Sequence, residues 1–341
     1  MSRSAGVWPI EYSHYVPGDS LRSEMMRGCY KIVMECGGIK KDENVIISCD
    51  MNKLRIAECL AGAVLAAGAV PTIIMIPPTG AHGRQLPPPA TQAFSKCDVF
   101  FLPATYSQTH TDARIIAMAN GARGCTLCEV TEDLFCTGAI MGDFELCDMR
   151  GRKVGAVLAK AKNIRYMTKD GTNLSADVEG RPVQYETGLF RNPGDFASVP
   201  NSEVNIAPIE GTANGTIVAN VRVMNIGVVK DEPITIHVKD GLVTGCDGSA
   251  AANEFWDILC GYGDGTAFNI AEFGFGLNDL GRIYANNLEA LGRFGVGHIG
   301  IGSNYAIGGK VKAPCHLDVS FLGLEMYLDG KLVYDQNGIY V

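Results

Sequence analysis

The chain has 341 residues and a formal net charge of −8, with a pI near 5.3. That balance disfavours nucleic acid and anionic membranes as partners, since both are held by basic surfaces. Apolar residues make up 47% and charged residues 19%, enough to bury two cores and too apolar for a disordered chain.

The opening residues, Met1 to Gly6, lack a basic segment followed by an apolar core, so no secretory signal is expected. Residues 18–38 read as helix and Glu43–Ser48 as a buried strand. Asp50 is placed to cap a helix over Lys53–Ala67, where apolar residues recur at helical spacing. The longest apolar run, Leu60 to Pro78, is broken by Gly62, Gly68 and Pro71. It reads as helix, turn and strand (Val70–Ile76) rather than as a membrane span of about 20 residues. Asp98–Leu102 reads as a third strand and His110–Ala119 as a helix. Strands and helices alternating in this way indicate βαβ units and a parallel sheet, a Rossmann-like domain over residues 1–190. No glycine-rich phosphate loop follows any of these strands, so no nucleotide cofactor is expected and the sheet is structural or substrate-enclosing. His82 and His110 fall in its loops and read as solvated or locally bonded side chains.

The twelve cysteines are scattered and lie mostly in apolar surroundings. Cys125 and Cys128 form the one C-x-x-C, with no second pair to complete a four-thiolate zinc site. Free buried thiols and a cytoplasmic protein without structural disulfides are the expectation.

Beyond Arg150 the texture changes. Val154–Ala159 and Ile164–Met167 are short apolar runs followed by turns rich in Gly and Asp. β-type segments then dominate at Thr216–Val223, Ile234–Lys239 and Leu242–Thr244, with Asp240-Gly241 as a hairpin turn. Residues 252–260 and 279–292 read as helical, and strands close the chain around Asp329-Gly330. The whole reads as an α/β protein, its second domain, residues 191–341, mixed and β-rich.

That second domain carries the chemistry. His316-Leu317-Asp318 on an extended segment points imidazole and carboxylate to one face, because strand side chains alternate with period two. Such a pair suits Zn, Mn, Co or Fe, and a charged pair at the start of a buried strand is expensive without a cation. His298 lies in Gly-Val-Gly-His-Ile-Gly-Ile-Gly, where glycines let backbone or ligand approach closely. Glu272 is a lone carboxylate in an apolar, glycine-punctuated run, a rare situation unless it is paired or bound to metal. Glu203 follows a Pro-Asn-Ser turn. Spacing does not decide whether Tyr305 is core or an oxyanion donor.

In order, these segments resemble the metal-binding pattern of the aminopeptidase T/aminopeptidase S metallopeptidases. They are Pro200-Asn201-Ser202-Glu203 leading into Ala207-Pro208-Ile209-Glu210-Gly211, then Ala271-Glu272-Phe273-Gly274-Phe275-Gly276-Leu277-Asn278, then His298 to Tyr305, then His316-Leu317-Asp318. The resemblance implies that Glu203, Glu272, His298, His316 and Asp318 hold two divalent ions (Zn, Co or Mn). It further implies that Glu203 or Glu272 shuttles a proton and that Tyr305 stabilises an oxyanion. Gly308 to Asp318 also resembles the related 2,5-dihydroxypyridine dioxygenases, in which a histidine stands where this chain has Glu272 and none stands at the position of His298. In that case His298, His316 and Asp318 would form a two-histidine, one-carboxylate face for Fe(II). The main expectation is an aminopeptidase-like hydrolase of amide bonds, with the ring-cleaving dioxygenase as the alternative. A small molecule or short peptide is the expected substrate, and a homodimer the expected assembly.

Overall fold

The computed structural model describes residues 21–341; positions 18–20 of the first expected helix lie outside them. Helix α1 (Leu21–Tyr30) leads to β1 (Asn44–Asp50), whose residues after Asn44 are all buried. A strand that is apolar on both faces must be covered on both. The cover comes from α2 (Leu54–Ala66), followed by β2 (Val70–Ile76), α3 (Pro88–Ala93), β3 (Val99–Ala104), α4 (Asp112–Ala119) and β4 (Arg123–Cys128). Val45, Ile47 and Cys49 join Val99 and Phe101 against α1 and α2. Ile46, Phe100 and Leu102, one step out of phase, pack against α3 and α4. The strands are parallel in the order β2-β1-β3-β4, as the alternating pattern implied. Asp50 caps as expected, its carboxylate accepting from the Asn52 amide at 3.0 Å.

Helix α5 (Phe144–Leu158) starts at Asp143, which accepts from the Leu146 amide at 2.9 Å. Its last turn contains most of the apolar run 154–159. Val154 and Leu158, four residues apart, face the core of the second lobe, and Arg150, Arg152 and Lys153 interrupt the periodicity along the sequence.

The chain then becomes β-rich. Strands β5 (Asn163–Met167), β6 (Asn173–Asp177), β7 (Val183–Glu186), β8 (Phe196–Ser198), β9 (Glu203–Ile206) and β10 (Asn214–Ala219) come first. β11 (Arg222–Val223), β12 (Gly227–Val228), β13 (Ile234–Lys239) and β14 (Leu242–Gly248) follow, then α6 (Ala250–Gly261), β15 (Ile270–Gly276) and α7 (Asn287–Leu291). β16 (Val296–Gly302), β17 (His316–Leu322), β18 (Glu325–Leu328), β19 (Lys331–Asp335) and β20 (Gly338–Ile339) complete the chain. The helix expected over 279–292 is confined to Asn287–Leu291.

These strands form two sheets, ordered β14-β13-β10-β6-β5-β18-β19-β20 and β12-β11-β17-β16-β15-β9-β7. The exception is β8, which returns to lie parallel to β4 in the first sheet. Ile164, Tyr166, Ile217 and Ile236 from one sheet meet Phe273, Phe275, Ile299, Val319 and Phe321 from the other in a shared core. Both expected Asp-Gly hairpin turns are present, with left-handed φ of 49° and 79° at Asp240-Gly241 and 49° and 81° at Asp329-Gly330.

The two lobes are clasped by buried charge. Glu289 of α7 is fully buried and accepts from the Ala139 amide at 2.7 Å. Arg282 bonds Glu289 Oε2 at 2.7 Å and reaches Asp133 Oδ2 at 2.8 Å. The Asn278 amide donates to the Ala139 carbonyl at 2.9 Å.

Eight of the twelve cysteines are buried. Among the described residues no helix is long and apolar enough to cross a membrane.

Candidate metal centre

The seven-stranded sheet has one oily face and one chemical face. Its oily side is Leu317, Val319 and Phe321, Ile299 and Ile301, Phe273 and Phe275, Val204 and Ile206. The opposite side presents His316 and Asp318 on β17, His298 on β16, Glu272 on β15, Glu203 and Asn205 on β9 and Glu186 on β7, and all of these line one cleft. Strict alternation would send Glu272 to the same side as Ile270, which is in the core. A β-bulge between Ile270 and Glu272 reverses the phase, so that Ile270 pairs with Ile301 while Glu272 pairs with Gly300.

Glycines make room for the rings. A Cβ at Gly274 would lie 2.1 Å from the His298 ring. A Cβ at Gly300 would lie 2.7 Å from the His316 ring and 2.8 Å from Glu272. In register, Glu272, Gly300 and Asp318 form one row across three strands.

The five expected ligand residues therefore converge. Glu272 stands between the two imidazoles, 3.3 Å from His298 Nε2 and 3.1 Å from His316 Nε2. His316 Nε2 is 3.4 Å from Asp318 Oδ1, and His298 Nε2 is 3.8 Å from Glu203 Oε2. His316 Nδ1 donates to the Ser303 carbonyl at 2.7 Å, which fixes its tautomer and leaves Nε2 facing the carboxylates. Two overlapping groups, Glu203–Glu272–His298 and Glu272–His316–Asp318, have ligand atoms within 4.8 Å of one another.

The charges of the cluster are strongly interdependent. Burial raises the Glu203 carboxyl to about 8, against the opposing pull of His298. Burial also opposes ionisation of Glu272, yet hydrogen bonds from His298 and His316 outweigh it and hold that carboxyl well below its usual range. Burial works against charge on both histidines too. The Glu203 charge and the Glu272 bond nevertheless bring His298 up to about 9, and bonds to Asp318 and Glu272 raise His316. Glu203 Oε2 and Asn205 Oδ1 are buried without a hydrogen-bond partner, an expensive arrangement unless a ligand is held there. An all-nitrogen-and-oxygen donor set of this kind fits a first-row divalent metal ion.

Tyr305 is not brought to this cluster. It is 57% exposed, with the Lys312 ammonium 4.0 Å above its ring. Glu210, in the segment that follows Glu203, also stays outside. It anchors the loop after β16 by accepting from the Asn304 side chain at 3.0 Å and the Lys310 amide at 2.8 Å.

Sequence reasoning missed Glu186. Its four-residue strand pairs with β9 so that Glu186 lies opposite Glu203, and burial together with the Glu272 charge raises its carboxyl. It also read His82 and His110 as solvated or locally bonded, whereas both line the facing wall of the cleft. That wall is made by turns at the carboxyl ends of the parallel strands, where open α/β sheets place their ligands. The His82 ring accepts from the Ser107 amide at 3.1 Å, and burial, with the nearby Arg114 charge, lowers the pKa of His110. The cleft has a volume of about 750 Å³, within the range of small-molecule sites.

The fold is shared with solved structures. AmpT from Thermus thermophilus superposes with a TM-score of 0.65 at 13% identity, over 94% of this chain and 100% of that one. The 2,5-dihydroxypyridine dioxygenase of Pseudomonas putida KT2440 superposes with a TM-score of 0.79 at 18% identity, covering 94% and 98%. A curated protein of the same organism, named 2,5-dihydroxypyridine 5,6-dioxygenase, is 28% identical over 188 residues, 52% of this chain and 54% of that protein. The match thus spans about half the length of the curated relative. The chain thus shares its fold with both families suggested by the motifs, but the expectation of an aminopeptidase-like hydrolase is overturned in favour of its alternative. A family model described as 2,5-dihydroxypyridine 5,6-dioxygenase matches residues 25–340, and the chain belongs to that family.

Proposed function

We propose that this protein is a non-haem Fe(II) dioxygenase that cleaves a dihydroxylated six-membered ring. The observation that carries the reading is the family match over residues 25–340 in a chain that gathers two histidines and three carboxylates on one sheet face. Glu203, Glu272, His298, His316 and Asp318 would hold the ion. When bound, Fe(II) lets a ring diolate and O₂ react with one another, so that both oxygen atoms enter across one ring carbon–carbon bond and no external reductant is consumed.

The remaining work belongs to the protein. Burial raises the Glu203 carboxyl to about 8 in the cation-free cluster, so its ionised form is a ready proton acceptor. With one carboxylate oxygen given to the ion, the other is placed to take a proton from a ring hydroxyl. Glu186 provides a second buried carboxyl beside it. Met224, Leu288, Leu291 and Ile307 supply apolar wall against which a flat ring packs while water is excluded.

The test is oxygen uptake by protein loaded anaerobically with Fe(II), with 2,5-dihydroxypyridine as substrate. The expected result is one O₂ consumed per ring and loss of the ring absorbance. Absence of uptake from fully iron-loaded protein overturns the reading.

A further inference from the structure

The geometry points to Arg114 as the anchor for a carboxylate carried by the substrate ring, which makes the substrate class a dihydroxypyridine carboxylic acid. This rests on the ring-cleaving function proposed above and adds a second point of attachment to it.

Arg114 is the only lysine or arginine among the described residues that line the cleft. Several other guanidinium groups find carboxylates: Arg123 pairs with Glu43, Arg181 with Glu210, Arg191 with Glu145 and Arg282 with Glu289. Among the described residues Arg114 has no such partner. Its Nη1 points to Met118 Sδ at 3.1 Å, and its guanidinium lies over the Phe196 ring at 4.9 Å. Its Nε is buried with no hydrogen-bond partner. Burial lowers its pKa, as expected of a cation that has lost water without an anion to compensate.

A second unsatisfied group sits on the same wall. Thr126 Oγ1 is also buried without a partner. Thr126 pairs with Ser198, and its neighbour Gly124 pairs with the Phe196 that lies under the guanidinium. A guanidinium with no carboxylate partner among the described residues and an unpartnered hydroxyl, both lining the cleft, are complementary to a carboxylate. Glu203, Glu272 and Asp318 of the opposite wall are turned to His298 and His316 rather than to Arg114. The cleft is larger than one bare ring requires. A ring held by its oxygens at the metal wall and by a carboxylate at Arg114 would bridge the two walls.

The experiment uses the Fe(II)-loaded protein without oxygen. It measures calorimetric binding of 2,5-dihydroxypyridine and of the same ring bearing a carboxylate, for wild type, Arg114→Gln and Arg114→Lys. Oxygen uptake is then followed for each pair. The wild type should bind the carboxylated ring tighter by about tenfold to a hundredfold, the range of a charge-assisted hydrogen bond. Arg114→Gln should bring that ratio close to one, and Arg114→Lys should keep part of it. Thr126→Val, which removes a hydroxyl that bonds nothing in the fold, should lower the ratio as well and stands in should Arg114→Gln fail to fold. Equal wild-type affinity for the two rings overturns the anchor. So does an Arg114→Gln protein that binds both rings more weakly by the same factor, since the side chain would then only cover Phe196. The two readings fail separately. Arg114-dependent preference without oxygen uptake sinks ring cleavage and leaves the anchor. Uptake with the parent ring and no preference sinks the anchor and leaves ring cleavage.

Discussion

The two walls of the cleft are built on opposite principles. The metal wall is one face of an antiparallel sheet, where backbone register fixes every ligand and glycines take the place of side chains that would intrude. The facing wall is made of turns after β2, β3 and β4, one short helix and residues of β4 and β8 themselves, and its His82, His110, Arg114 and Thr126 come from four separate segments. A sheet face holds positions closely because a one-residue slip would turn every side chain to the wrong side. Turns tolerate change. The contrast suits a division in which the sheet keeps the chemistry constant while the turns choose the ring.

The comparison can be broken most severely at Gly300. Replacing it by alanine puts a methyl group 2.7 Å from the His316 ring and 2.8 Å from Glu272. Displaced ligands should weaken metal retention by about 10²-fold, the scale seen when groups supporting a metal ligand are lost. Gly245→Ala, in a strand position with nothing within 4 Å, should retain metal like the wild type. Metal-to-protein ratios after gel filtration decide, and equal ratios for the two variants would mean that the register does not set the site.

A smaller effect should separate the lobes by pH. Glu43 accepts from both Nη atoms of Arg123, at 2.8 and 2.9 Å. Burial opposes its ionisation, but the Arg123 bonds outweigh it and lower its pKa. A carboxylate with a depressed folded-state pKa stabilises the native state above its unfolded value, about 4.3. That contribution is lost as pH falls through the folded value. Glu43→Gln should therefore cost roughly 1–2 kcal/mol at neutral pH, discounted for partial exposure. The gap from wild type should close in acid, with metal content at neutral pH unchanged. Denaturant melts from pH 7 to pH 3 test this, and a gap that widens in acid would refute the sign.

The smallest effect belongs to Tyr305. Being exposed and stacked under Lys312, it should change turnover by no more than about twofold when replaced by phenylalanine, as exposed substitutions usually do. A loss of a hundredfold in steady-state rate would return it to the reacting ring.

What could be read from the sequence follows the same division. His298, Gly300 and Gly302, then His316 and Asp318, repeat at period two, so their common face was legible. The parallel sheet was legible from the apolar runs of β1 and β3, each bounded by helical spacing. The bulge that turns Glu272 towards the cleft has no signature in Ile-Ala-Glu-Phe-Gly. Glu186 sits in the half-polar Val-Gln-Tyr-Glu and gains meaning only from its pairing with Glu203. Strand β8 is three residues long, too short to declare itself, yet it carries Phe196 and Ser198 to the wall. The reaction was least legible of all. A ligand set shared between related families records the metal and says little of what is done with it, so matching all five positions led to a hydrolase.

The clasp of Glu289 with Arg282, Asp133 and Ala139 has a consequence for ligand size. Asn287, Leu288 and Leu291 of the same short helix line the cleft, so the segment that bolts the lobes together is also part of the vessel they enclose. The gap between the walls is thereby tied to ion pairs that lie outside the cleft lining. Loosening that clasp should change which ligand lengths the vessel accepts without touching any group that recognises the ring.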